Sequence, residues 1–343
     1  PERALKAAFK LKKKSVWLID GKFYVDKSFL GEMKHELHLR FVRAVADHAR
    51  TVADRSAAKA SDDAESSKSP PQQHHEVTRL QRAAVLFRRG TFLYRYESMA
   101  SGPSECDADL PTLVIAKKHT AQCGVMIPNP YFDTIYDAWK HDFDQLLGLG
   151  WAAKVAKAWD KRNPRVFWRG KIRQEHGPEE CDRDAGNFAR VSASALTLTH
   201  PAQFDVRPVD CAVRKPSKAC DRVFGVRAAE LRAQASKCRA VVGKFVTHTT
   251  FAGYRGVLDL PGSTSGSYSR NLNHLWLLGA VVFIWTGPLL DGAGASQWYT
   301  PALVDSETHV VVDRDTAPAL AKAALADDVE LRERLRAAAR GVA

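Results

Sequence analysis

The residues with the most chemistry to offer are arginines set beside glycine and serine. In "RVFWRGK" the apolar triplet Val166, Phe167 and Trp168 reads as a buried strand, and Arg169 and Gly170 follow at once. A guanidinium's planar fork of donors suits a phosphate, and a glycine lets backbone approach a ligand. Ligands of open α/β sheets bind beyond the carboxyl ends of the strands, which is where this pattern puts Arg169. Arg183 follows in "CDRDAGNFAR", between Asp182 and Asp184. "GSTSGSYSR", Gly262 to Arg270, is rich in Gly and Ser and leads into a helical pattern. It offers backbone and hydroxyl donors at a helix start. Singly, a strand-end arginine is as readily a surface ion-pair partner, and a Gly/Ser stretch as readily a flexible connection. Three arginines and one donor-rich loop, all placed between strands and helices, fit a diphosphate site.

Metal chemistry has weaker support. "DRD" at 182–184, "DAD" at 107–109 and "DRD" at 313–315 all match the DxD pattern of metal-dependent sugar-nucleotide enzymes, and three matches in one chain show how cheaply it arises. No metal site is expected. None of the six cysteines forms a CxxC pair, which argues against zinc. "HELH", with His35 and His38, lacks the i, i+4 spacing of a metalloprotease helix.

The elements that must position these residues alternate between strand and helix. "SVWLIDGKFYV" reads as a hairpin turning at Asp20-Gly21. A helix follows, roughly Lys34 to Val52, and then the small, polar, proline-bearing stretch Ser56 to His75, which reads as a disordered loop. "TFLYRYES", "PTLVIAKK", "RVFWRG", "AVVFIW" and "THVVVD" are strands. "YFDTIYDAWKHDFDQLLGLGWAAKVAKAW" is largely helical, and the tail "VELRERLRAAARGVA" is an amphipathic helix. Strands separated by helices argue for parallel sheets.

At 343 residues the chain exceeds one ordinary core, so two domains are expected, 1–160 and 161–343. A net charge of +12 favours an anionic partner. With no zinc-finger spacing, aromatic-rich nucleic-acid motif or dense basic helix, a phosphorylated small molecule ranks above nucleic acid. The longest apolar run, Leu275 to Leu290, falls short of the ~20 residues of a spanning helix and is interrupted by Gly279, Gly287 and Pro288. The start, "PERALKAAFK", has no apolar signal region and reads as that of a trimmed domain. Six cysteines fit disulfides as well as buried thiols.

The pieces resemble glycosyltransferase family 90, the capsule-associated and Rumi-like, KDEL-containing protein O-glucosyltransferase group. "YFDTIYDAW" is similar to the family's Tyr-x-Asp-(x)2-Tyr-x-Ala-Trp, "FWRG" to its Phe-Phe-Arg-Gly, and "DRD" at 182–184 to its Glu-Arg-Asp. "GSYSRNLNHLWLLGAVVF" resembles its Ser-Tyr-Ser-(x)-Arg helix start with the Leu-rich helix and strand that follow, and "QWYTPALVDSETHVVVD" its ending. "VWLIDGKFYV" fits its early hairpin, and the likeness otherwise runs from about Leu110 to Leu320. The resemblance implies a GT-B fold, two Rossmann-like lobes facing across a cleft, with an N-terminal acceptor lobe and a C-terminal donor lobe. It implies inverting transfer of glucose or xylose from UDP-glucose or UDP-xylose to a hydroxyl of a protein or glycan, with no cofactor beyond the donor and no metal. It implies the lumen of the endoplasmic reticulum or Golgi, with any membrane link supplied by a segment outside this chain. By resemblance Arg169, Gly170 and Arg183 hold the diphosphate, Asp133, Ala138 and Trp139 line the sugar or uracil end, and Ser267, Tyr268, Ser269 and Arg270 cap the phosphates. The oxidising compartment further implies a Cys211–Cys220 bridge around "CAVRKPSKAC".

Three positions depart from the pattern. Lys171 stands where the family has serine; it can still meet phosphate as a point charge. The family arginine near the Ser-Tyr-Ser loop aligns with Arg270 or Asn271. The family's general-base aspartate, at the end of a Val-Ile-x-x-x-Asp strand, is here His119. Two readings stay open: His119 is the base, or activity is lost or its base has moved to Asp107 or Asp109. A non-catalytic carbohydrate-binding homologue and a DxD metal-dependent transferase are the rivals. With His119 as base, transfer rises with pH through an apparent pKa near or below ~6.5, and His119→Ala abolishes transfer while UDP-sugar binding persists. Wild-type transfer by His119→Ala together with its loss in Asp109→Ala would move the role to the carboxylate.

Overall fold

The structure is a computed structural model. It describes residues 15–19, 22–25, 92–95, 112–117, 123–127, 159–174, 181, 185–246, 248–262, 269, 271–286, 296–297 and 299–342. The expected helix at 34–52, the loop at 56–75 and the helical segment from Tyr131 lie outside these residues. The chain divides into two compact units, one of 1–97 with 101–115 and 120–131, the other of 98–100 with 116–119 and 132–343.

The first unit holds a mixed five-stranded sheet: β1 (Ser15–Ile19), β2 (Lys22–Val25), β3 (Phe92–Arg95), β4 (Thr112–Val114) and β5 (Val125–Met126), in the order β2-β1-β3-β4-β5. β1 runs antiparallel to β2 and to β3, and β3, β4 and β5 run parallel. Ile19 pairs with Lys22, so the expected hairpin forms.

The second unit holds a parallel sheet of β6 (Asn163–Arg173), β7 (Phe204–Ala212), β8 (Tyr254–Asp259), β9 (Val281–Trp285) and β10 (Val310–Val312) in the order β10-β9-β8-β6-β7. The first strand lies inside the sheet and the second beside it at the edge; the chain then returns and steps outward the other way. This is a doubly wound order, whose direction reverses between β6 and β8.

Both faces of this sheet are covered, so its central strands are continuous apolar runs instead of alternating ones. Val166, Trp168, Leu258, Phe283 and Val312 pack under the helices α1 (Ala185–Thr199), α3 (Ala317–Lys322) and α4 (Val329–Val342). Phe167, Val257 and Val282 face the other way, against Phe251, Leu272, Leu275 and Trp276. A further helix, α2 (Ala228–Lys237), packs along α1.

The sequence pattern ends the strand at Arg169, but β6 continues to Arg173. Beyond Phe167 it is paired with β7 alone, down to Arg173↔Ala212, so Ile172 stays buried while Lys171 and Arg173 are exposed. Gly170 has a packing reason of its own. A Cβ there would stand 2.4 Å from Cζ2 of Trp168, two residues back on the same face.

The expected Cys211–Cys220 bridge is wrong. Cys181 is bonded to Cys220 and Cys211 to Cys238. Cys211 lies in β7, and the chain leaving α2 returns to that strand at Cys238, whereas Cys220 is buried beside Phe188 and Phe224 under the start of α1. Sequence proximity set the expectation; the return of α2 sets the partner. These disulfides suit an oxidising compartment. No helix among the described residues is long and apolar enough to cross a membrane. Peptide mapping without reduction will recover Cys181–Cys220 and Cys211–Cys238 peptides, and removing either bridge will cost about 2–5 kcal/mol in denaturant unfolding. Recovery of a Cys211–Cys220 peptide contradicts this packing.

Candidate functional site

The strand order reverses between β6 and β8, and it is at the carboxyl ends of the strands at such a point that open α/β sheets have their ligand crevice. β8 ends at Asp259, and Leu260, Pro261 and Gly262 lead on from it. On the other side β6 carries Gly170 and Lys171 past its last partner in β8. Arg190 of α1 spans the gap. Its Nε donates to the Pro261 carbonyl at 2.9 Å and its Nη1 to the Lys171 carbonyl at 2.7 Å, with the guanidinium 5.6 Å from the Trp168 ring. Burial pulls its pKa down to about 10, against the pull of Asp259.

Asp259 is buried, and Ser269, the last described residue of the Gly/Ser loop, donates its hydroxyl to Asp259 Oδ1. Burial pushes this carboxyl up to about 7, and the Ser269 hydroxyl and Arg190 only partly offset it. Tyr299 lies close enough to feel Asp259; its phenol is raised by burial first and by that carboxyl second, and it accepts a hydrogen bond from Gln297 Nε2 at 2.9 Å. Lys117, in the segment that follows β4, pairs its backbone with Ser296 at 2.9 and 2.8 Å.

Arg169 is held within the fold. Its Nη2 donates to Asp205 Oδ1 at 2.9 Å, and its Nη1 donates to the Asp205 and Trp168 carbonyls at 2.7 and 2.9 Å. Its guanidinium lies 4.3 Å from the Phe167 ring. Asp205 also accepts from Arg207 Nε at 2.8 Å and from the Tyr254 hydroxyl at 2.9 Å, and pairs with Arg165 at 3.7 Å. Burial opposes ionisation of Asp205, but Arg169 foremost, then the Tyr254 hydrogen bond, hold its carboxyl below the usual range. Gly243 closes over the pair: a Cβ there would meet Arg169 Nε at 3.0 Å and Arg207 Cβ at 3.1 Å.

Of the residues singled out from sequence, Arg169, Gly170 and Lys171 lie in the carboxyl half of β6, with Arg169 turned to Asp205, and Ser269 is bonded to Asp259 at the end of β8. His119, Asp133, Ala138, Trp139, Arg183, Ser267, Tyr268 and Arg270 lie outside the described residues, as do the DxD pairs at 107–109 and 182–184. The third DxD serves the fold. Asp313 Oδ1 accepts from the Asp315 and Thr316 amides, both at 2.8 Å, at the start of α3, and Asp315 pairs with Arg227. Among the described residues no cluster of three His, Cys, Asp or Glu side chains could hold a metal. Sequence reading missed Asp205, Arg190 and Asp259. Asp259 had the same signal as Arg169, a polar residue at the end of an apolar run, "GVLDL".

The sequence matches no protein-family model, and no curated protein is significantly similar to it.

The raised carboxyl gives a signed prediction. Unfolded, Asp259 ionises near ~3.9; folded, at about 7. Between these values the folded state keeps a proton that the unfolded state has lost, so Asp259 makes stability fall as pH rises, with the full penalty present above the folded pKa. Asp259→Asn cannot ionise. The stability of Asp259→Asn relative to wild type will therefore grow from pH 4 to pH 8 in urea unfolding; a difference that is flat with pH contradicts the assignment.

Proposed function

We propose that the chain is a UDP-sugar-dependent glycosyltransferase of GT-B type that moves glucose or xylose to a hydroxyl of a protein or glycan, inverting the anomeric carbon without a metal. The observation that carries this reading is the doubly wound sheet, whose reversal point brings Lys171, Asp259 and Ser269 to the carboxyl ends of β6 and β8. The motif order that resembles glycosyltransferase family 90 supports it. In this reading the donor diphosphate lies over that crevice. Lys171, exposed past the end of β8, meets it as a point charge, and Ser267, Tyr268, Ser269 and Arg270 cap the phosphates, as the family likeness implies. These groups stabilise charge developing on the departing UDP. His119 takes the acceptor's proton. Disulfides and the family likeness favour the secretory lumen.

Arg169 then acts through Asp205 and the floor of the site, and its substitution costs stability as well as affinity. This same commitment favours the second reading, a carbohydrate-binding homologue that retains the fold without turnover.

Thermal shift and hydrolysis against a panel of UDP- and GDP-sugars, with and without chelator, separate the readings. UDP-glucose or UDP-xylose will stabilise the protein and be turned over in chelator. Binding without turnover supports the homologue, chelator-sensitive turnover supports a DxD enzyme, and no response to any nucleotide sugar overturns the proposal.

A further inference from the structure

Between α1 and α2 lies a cavity of about 210 Å³, whose lining includes none of Lys171, Asp259 and Ser269. Its origin is in the sequence of the two helices. Val191, Ser194, Ala195 and Leu198 follow one another at i, i+3, i+4 and i+7 along α1. Glu230, Ala233, Gln234 and Lys237 repeat that spacing along α2. Such spacing puts each set on one helix face, and both faces line the cavity. The middle of the α1 stripe is Ser194 and Ala195, and the middle of the α2 stripe includes Ala233. Short side chains at these positions leave open the space that ridges and grooves of packed helices normally close. The turn Cys238–Val241, tied to β7 by the Cys211–Cys238 bridge, adds Val241 to the walls.

The walls are largely apolar, but they carry polar atoms without partners. Ser194 is 1% exposed and its hydroxyl has no hydrogen-bond partner; the side-chain carbonyl oxygen of Gln234 is buried without one as well. A serine within a helix ordinarily turns its hydroxyl to solvent or back to the carbonyl four residues earlier, and Ser194 does neither. Other polar groups of the lining are engaged: Glu230 pairs with Arg227 and Arg314, and Thr199 Oγ1 donates to the Ala195 carbonyl at 3.4 Å. Unmet buried polar groups in a wall call for a partner from outside the fold.

Volume and chemistry together define that partner. An apolar cavity of about 150 Å³ holds one benzene ring, so this one has room for a ring with one small substituent. Ser194 can give or accept a hydrogen bond, and the Gln234 amide offers an acceptor or, turned over, a donor. A hydroxyl serves every one of these combinations, whereas a carboxylate only accepts and an ammonium only donates. We propose that the cavity binds a neutral, ring-sized molecule bearing one hydroxyl, a phenol or a cyclic alcohol. Its ring lies against Val191, Ala195, Leu198 and Val241, and its hydroxyl meets Ser194 and Gln234. This site is independent of the nucleotide-sugar reading.

The test is a ligand-observed NMR titration of the full chain with phenol, toluene and benzoate. Phenol will bind. Toluene, a ring of the same shape without the hydroxyl, will bind about fivefold or more weakly. Benzoate will also bind more weakly than phenol, although Lys237 is exposed at the mouth. Ser194→Ala will remove most of the preference for phenol over toluene, which a merely structural serine would not do. Ala195→Leu and Ala233→Leu fill the cavity from either helix and will abolish binding. Ala233 is exposed, so leucine, a good helix former, is accommodated there even if Ala195→Leu fails to fold. Phenol bound no better than toluene or benzoate, a preference unchanged in Ser194→Ala, or binding undiminished in Ala233→Leu overturns the proposal.

Discussion

A single carboxylate, Asp205, sets the geometry at the centre of the second unit. It lies on the edge strand β7 and takes charge from Arg165, Arg169 and Arg207, with a hydrogen bond from Tyr254. Arg169 belongs to β6, so the pair ties the inner strand to the edge, and Tyr254 of β8 joins from the other side, stacked on Phe167 at 3.9 Å. Removing Asp205 strands Arg169 without its carboxylate, at a cost of about 3–5 kcal/mol. The direction of Arg169, the closeness of Gly243 and the position of the Phe167 ring all follow from where Asp205 sits.

The two buried carboxylates show how environment sets charge. Asp205 and Asp259 are each 5% exposed. Asp205 has three guanidiniums and a phenol, and its carboxyl is held down. Asp259 has a serine hydroxyl and a more distant Arg190, and burial pushes it up to about 7. Ion pairing outweighs desolvation at the first, and desolvation outweighs hydrogen bonding at the second. The first is a fixed anchor, and the second holds a proton near neutrality beside Ser269.

The parallel sheet was legible in part because its inner strands are buried on both faces: "VFW" and "AVVFIW" are apolar without interruption, whereas β7, with Asp205, Arg207 and Asp210, and β8, with Arg255 and Asp259, were not read as strands. The end of β6 was not, because beyond Arg169 the strand has one neighbour and reverts to polar alternation at Lys171, Ile172 and Arg173. The disulfide partners were not legible, because they depend on α2 bringing Cys238 back to β7. Arg169 was singled out as a diphosphate ligand, but sequence could not supply the Asp205 that pairs with it, 36 residues away.

The central claim is that nucleotide binds where the strand order reverses. A crystal structure of the chain grown with UDP tests it most directly. The account predicts the diphosphate over the carboxyl ends of β6 and β8, within hydrogen-bonding distance of Lys171 or the Gly262–Arg270 loop, with Arg169 still paired to Asp205. A diphosphate bound elsewhere on the chain, or a crevice that stays empty at UDP concentrations that calorimetry shows to be saturating, contradicts it.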